Sequence, residues 1–173
     1  MERSQRSLPP KTPRVEPPRS DRYHLETDAS LNRALTRRAD ESGHPLYRAG
    51  GGIVLRDLSM KPFEEHAVDL GYLRSPSQAE CASLHWGLRR ALHLRIWRLR
   101  VRNDNLPLML ALSRAVVEPE FRVPTDLSSA VETARRFESI QFRWSKSTHS
   151  KERGDGAHSA DFLARRACGL GPR

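Results

Sequence analysis

"SPSQAECASLHWGLRRALHLRIWRLRVRND", residues 75–104, joins a helix to a strand within thirty residues, and its two acids sit where each element is least expected to carry them. Ser75 is suited to cap a helix and Pro76 to the first helical position. Leu84, Leu88 and Leu92 recur every four residues and mark an inward stripe. From Arg95 the period changes to two. Trp97, Leu99 and Val101 fall on one side, and Arg98, Arg100 and Arg102 on the other. The spacing predicts a helix over 75–94 and a strand over 95–103. Glu80 lies on the leucine stripe one turn before Leu84, where a carboxylate is costly unless a cation or a positive group offsets it. The alternative is a helix end that protrudes, leaving Glu80 a solvated acid near the helix start.

Working outward, "RYHLETD" (22–28) reads as a first strand, broken at Asp28 by small polar residues. Residues 29–49 read as a long loop that has room for one helical turn. "GGGIVLRD" (50–57) and "EEHAVDLGYL" (64–73) read as second and third strands, with a hairpin turn between them. Downstream come an apolar helix (105–115), a linker bounded by Pro119 and Pro124, an amphipathic helix (125–139) capped by Thr125 or Asp126, a fifth strand (140–147), a polar loop (148–156) and a last helix (157–168). Three leading strands suggest an antiparallel meander, and strands that alternate with helices suggest parallel additions through crossovers. The expected fold is α/β: a mixed five-stranded sheet, three antiparallel strands then two parallel, flanked by helices.

The chain has 173 residues, enough for one ordinary domain, and a formal net charge of +9 with a pI near 10.5. That balance favours polyanions. Nucleic acid is the expected partner, with an anionic membrane surface as the rival. Residues 1–21 form a basic proline-rich segment: the first twenty hold five prolines and five Lys/Arg against two large aliphatics. It lacks the apolar surface needed to offset ordering and is expected to be a disordered tail. Residues 22–168 form the expected domain and 169–173 a short C-terminal tail. Cys81 and Cys168 have no CxxC neighbour, which excludes the usual zinc spacing, and they read as buried thiols of a reducing compartment. No apolar run reaches the ~20 residues of a membrane span, and no secretory core is visible. The expected location is cytoplasmic, with no membrane association.

Asp28 ends the first strand, Asp104 ends the strand over 95–103, and Asp161 sits near the start of the last helix. Each has a local explanation, Asp28 as a turn former and the others as helix-start acids. Together they have another. In open sheets with crossovers, functional groups gather at the carboxyl ends of strands. If the first and fourth strands are parallel neighbours, Asp28 and Asp104 fall side by side and Glu80 closes over them. Adjacent carboxylates repel and attract divalent cations. Hard oxygen ligands select magnesium or manganese, and a pair of such ions is suited to phosphodiester hydrolysis.

"TDAS" (27–30), "GGIVLRD" (51–57), "AECASLHWGL" (79–88), "VRNDN" (101–105), "STHS" (147–150) and "ADFLARRA" (160–167), in this order and on these elements, resemble the ribonuclease H family over residues 22–168. The resemblance implies that Asp28, Glu80, Asp104 and Asp161 hold two magnesium ions, with manganese as the alternative. It makes His149, in the loop before the last helix, the assistant in proton transfer or product release. It implies an endonuclease that cuts the RNA strand of RNA–DNA hybrids. Ser30, Asn32 and Asn105, beside the acid positions, are candidate substrate contacts. The chain departs from the family in five places, one of them a longer loop between the first two strands than compact members have. Ala29 follows Asp28 where many members have glycine. Asn105 follows Asp104 where serine is common. "SPSQ" (75–78) replaces the segment that usually supplies a hybrid-reading asparagine. No Trp/Lys-rich basic protrusion appears between the middle helices.

His158, His85 and His93 are the rivals of His149. The sequence contains no HExxH, P-loop or GxSxG, and the glycine run 50–52 is followed by a strand, unlike a nucleotide-binding loop. Trp86, Trp97 and Trp144 are expected in the core. Two other functions fit the residues: a ribonuclease H-like domain that binds nucleic acid without cleaving hybrids, and a nuclease for another nucleic acid.

Overall fold

The structure is a computed structural model and describes residues 22–35, 38–146 and 159–171. Its elements are β1 (Tyr23–Asn32), a 3-10 turn (Arg33–Leu35), β2 (Arg38–Ala39), β3 (Pro45–Arg56), β4 (Pro62–Leu73), α1 (Pro76–His93), β5 (Arg98–Asn103), α2 (Leu106–Val117), α3 (Thr125–Ala134), β6 (Ser139–Trp144) and α4 (Ala160–Ala167). The longer strands lie in the order β4-β3-β1-β5-β6. β4, β3 and β1 pair antiparallel, β5 adds to β1 in parallel, and β6 adds to β5 in parallel. This is the mixed five-stranded sheet expected from the sequence, with the short β2 paired to the start of β3 as an addition.

The helix at the centre of the sequence argument forms as its signals direct. The Gln78 amide donates to the Ser75 hydroxyl at 3.2 Å, and the Gln78 side chain accepts from the Arg74 amide at 3.0 Å, so both ends of the cap are satisfied. Leu84 and Leu88 are fully buried against Leu25, Ile53, Leu55, Leu99 and Val101 of the sheet. Gly87 lets α1 sit close: a Cβ there would lie 3.0 Å from Leu25. α2 and α3 add Leu108, Met109, Leu112, Leu127 and Val131 to the same core. On the other face, Val54 packs with Ala160 and Leu163 of α4.

Four expectations are corrected. β1 runs through Asp28 to Asn32, because Ala29–Asn32 pair with Gly51–Arg48 of a β3 that begins at Pro45. These small and polar residues lack alternation, and the pairing comes from the neighbouring strand. α3 has Pro124 at its cap with no side-chain cap bond, and Thr125 is already helical. β5 begins at Arg98, not Arg95, after Arg95 has turned into left-handed backbone at φ 60°. Trp97 and Trp144 are 51% and 49% exposed, Trp97 just before β5 begins and Trp144 at the end of the edge strand β6; Trp86 packs against the core. Cys81 and Cys168 are free and buried, as expected, and burial raises both thiol pKa values. Among the described residues no helix is long and apolar enough to cross a membrane. The expected tail at 1–21 and His149 lie outside the described residues.

Candidate metal centre

The parallel ladder between β1 and β5 ends at the pair Glu26–Arg102. Two residues further on each strand come Asp28 and Asp104. Beyond the last pair, β1 remains bonded to β3, while β5 remains bonded to β6 through Asn103 and Trp144. A notch opens between β1 and β5 where their ladder ends, and α1 lays Glu80 across it. One carboxylate oxygen from each of Asp28, Glu80 and Asp104 lies within 4.8 Å of the others. The sequence argument required β1 and β5 to be parallel neighbours, and they are.

The backbone and three polar side chains fix this arrangement. The Ala29 amide donates to Asp28 Oδ1 at 2.8 Å and to Glu80 Oε1 at 3.2 Å, tying the two acids to one N–H. Glu80 Oε2 accepts from Asn103 Nδ2 at 3.0 Å. The same amide nitrogen reaches the Thr27 carbonyl at 2.9 Å and the Thr27 hydroxyl at 3.2 Å. Asn103 is buried and stitches α1 to both strands. Ser83, one turn after Glu80 on α1, donates to the Asp28 carbonyl at 2.8 Å. The Trp144 indole N–H donates to the Asp104 carbonyl at 2.9 Å, which anchors the backbone and leaves the Asp104 side chain exposed.

Sequence reasoning missed Asn103, Thr27 and Ser83. Ser83 carried a signal, a small polar residue beside the leucine stripe one turn after a misplaced acid. Asn103 was hidden as a polar residue next to Asp104.

Electrostatics follows from the geometry. Burial raises the Asp28 carboxyl from an ordinary 3.8 to about 7, and the charges of Asp104 and Asp161 add to the shift. Burial, then the charge of Asp28, raises Glu80 to about 8. The interaction between their side chains lowers Asp28 and raises Glu80, opposing the burial shift at the first and adding to it at the second. Mutually destabilised carboxylates in a notch are a donor set suited to a hard divalent cation.

The other candidates are placed as follows. Asp161 is half-buried in the first turn of α4, where Ser159 caps the helix through a 3.2 Å bond from the Phe162 amide. It stands outside the three-acid cluster, but its charge is felt at Asp28. Asn105 caps α2, accepting from the Leu108 amide at 3.0 Å. Ser30 is half-buried on β1 opposite Gly50. Asn32 faces the fold and not solvent: it is 5% exposed, and its amide donates to the Cys168 carbonyl at 3.0 Å. The structure therefore gives Asn32 the task of tying the end of α4 to β1.

A five-stranded mixed sheet with these crossovers, and acids where the ladder of its central parallel strands ends, defines a ribonuclease H-like domain. The sequence matches the reverse transcriptase-like family over residues 44–166, and the chain belongs to that family. The match includes Glu80, Asp104 and Asp161 and begins after Asp28, whose place rests on the geometry above. Among solved structures, the chain is similar to RNase H1 from Halobacterium salinarum at 20% identity, with 84% of this chain and 96% of that one covered and a TM-score of 0.62. An N-terminal RNase H domain from Mycobacterium tuberculosis, solved as a fusion with maltose-binding protein, matches at 20% identity, 85% and 93% coverage and a TM-score of 0.61. LC11-RNase H1 in complex with an RNA/DNA hybrid matches at 16% identity, 84% and 96% coverage and a TM-score of 0.59. No curated protein sequence matches the chain.

Proposed function

We propose that this protein is a metal-dependent endonuclease that hydrolyses the RNA strand of RNA–DNA hybrids. The observation that carries the reading is the cluster of Asp28, Glu80 and Asp104 where the parallel ladder of β1 and β5 ends, in a ribonuclease H-like fold. Two divalent ions held there, magnesium in preference to manganese, would supply charge neutralisation for in-line attack of water on the phosphodiester. Asp28, Glu80 and Asp104 are the proposed ligands, with Asp161 completing the set from α4. The chain's own residues prepare the site. Asn103 and the Ala29 N–H aim the Glu80 oxygens, and Ser83 and Trp144 hold the backbones of Asp28 and Asp104. His149 is proposed to assist proton transfer or product release. The net charge of +9 favours a nucleic-acid substrate.

Hybrid is the favoured substrate because the 2′-hydroxyl and groove shape mark an RNA strand, and a structural relative was solved with an RNA/DNA hybrid. One observation favours the second reading, a domain that binds nucleic acid without cutting hybrids, or a nuclease for another nucleic acid. Gln78, in the segment where an asparagine would read the hybrid, has its side-chain oxygen committed to the Arg74 amide in the helix cap. A foamy viral relative was also solved with double-stranded DNA. The test is a panel of end-labelled hybrid, double-stranded RNA and double-stranded DNA, with magnesium. Cutting confined to the RNA strand of the hybrid supports the first reading. Equal cutting of a duplex without a hybrid, or binding alone, supports the second.

A further inference from the structure

α4 touches β3 backbone to backbone, at Gly50 and Gly52. A Cβ built on Gly52 would overlap the Ala160 carbonyl oxygen and lie 2.7 Å from the Ala164 nitrogen. One built on Gly50 would overlap the Ala164 carbonyl oxygen and lie 2.6 Å from the Cys168 nitrogen and 2.8 Å from the Ala167 Cβ. The helix meets these glycines with Ala160, Ala164 and Ala167, spaced four and three residues apart on one face. Both partners are small where they meet, and their backbones approach more closely than any side chain on β3 would permit. The approach also has a direction toward the acids. Gly52 is the cross-strand partner of Asp28, and the residue after Ala160 is Asp161. Asn32, on the same strand as Asp28, fastens the far end of the helix at Cys168.

We infer that Gly52, with Gly50, is a positioning residue for the fourth carboxylate: the glycine cradle in β3 sets the depth at which α4 docks, and so the reach of Asp161 toward Asp28. The glycine run 50–52, which has no role as a phosphate loop, thereby gains one in the metal centre. The inference rests on the nuclease reading given above. Three acids are organised by β1, β5 and α1 alone, so a displaced α4 affects only the ion that needs Asp161. Substitutions in the shell that orients metal ligands typically weaken binding by about 10–100-fold.

The test counts bound manganese by electron paramagnetic resonance in the full chain, alongside crystal structures of the variants. Wild type is expected to bind two ions. Gly52→Ala is expected to displace α4 outward, keep one ion within about 3-fold of wild-type affinity and weaken the other at least ~10-fold. Asn32→Ala, which removes only the distal tether and leaves β3 intact, is expected to weaken the same ion by a smaller factor. Asp161→Glu should impair that ion in the wild-type background, but partly restore it in Gly52→Ala, because the longer side chain spans the added distance. A purely structural defect would not be repaired in this way. Two ions bound normally despite a displaced helix, or no restoration by Asp161→Glu, overturns the inference. Wild type that binds no manganese overturns the nuclease reading and this inference with it, and is told apart because the failure precedes any substitution.

Discussion

Replacing Glu80 with glutamine should make the metal-free protein more stable at alkaline pH, because it removes a charge that the folded state holds at a cost. Asp28 stands at about 7 against an ordinary 3.8, and Glu80 at about 8 against 4.5. Between those limits the folded chain retains protons that the unfolded chain has released. Stability therefore falls as pH rises from about 5 through 8, and the cost is fully present above the folded values. A shift of about three pH units corresponds to about 4 kcal/mol. Because the two carboxyls interact, that figure applies to the pair and not to each group. Solvent relaxation around the notch reduces it to about 2 kcal/mol. For a domain of this size that is a Tm difference of roughly 4–8 °C. The assay is thermal unfolding in EDTA from pH 5 to 9. Wild type and Glu80→Gln should coincide near pH 5 and diverge above pH 7, the variant being the more stable. Adding magnesium at pH 8 should reverse the order, since the ion stabilises the intact site by linkage. Parallel curves across the pH range would refute the claim that burial and mutual repulsion set these carboxyls.

Three further outcomes are expected. Asn103→Leu frees the Glu80 carboxylate from its amide donor, and should raise the magnesium concentration needed for half-maximal cleavage by about 10–100-fold while leaving the fold intact by circular dichroism. Glu64 accepts hydrogen bonds from the Arg90 guanidinium and lies 3.4 Å from His66 Nε2, and these neighbours hold its carboxyl at about 2 against the effect of burial. Glu64→Gln should cost about 1–3 kcal/mol in urea unfolding at pH 7, with the difference from wild type shrinking as pH falls toward 2. Asp28→Asn should abolish magnesium-dependent stabilisation while raising metal-free stability at pH 8.

The sequence was most informative where a residue contradicted its local pattern. Glu80 on a leucine stripe and Asp104 at the end of an alternating strand both pointed to the notch, because a helix period and a strand period are each fixed by the backbone. Asp28 was recognised as an acid of interest but placed at a strand end. Its strand in fact continues for four residues, paired to Gly51, Gly50, Ala49 and Arg48, which carry no alternation of their own. Asn103 and Ser83 escaped notice because their partners lie on other elements, 23 and 55 residues away in sequence. The reason for the glycine run was also invisible, since it lies in how closely a helix more than one hundred residues later must approach. Trp97 and Trp144 were expected in the core on hydrophobicity alone. Their exposure depends on which elements cover the start of β5 and the end of β6, and that is set by topology.

The most direct test of the account is cleavage of an end-labelled RNA–DNA hybrid by the purified protein, with and without magnesium, beside Asp104→Asn. The account predicts metal-dependent cutting of the RNA strand alone, reduced at least ~100-fold by the substitution. Cutting that is unchanged in Asp104→Asn, or that proceeds equally in EDTA, would contradict it.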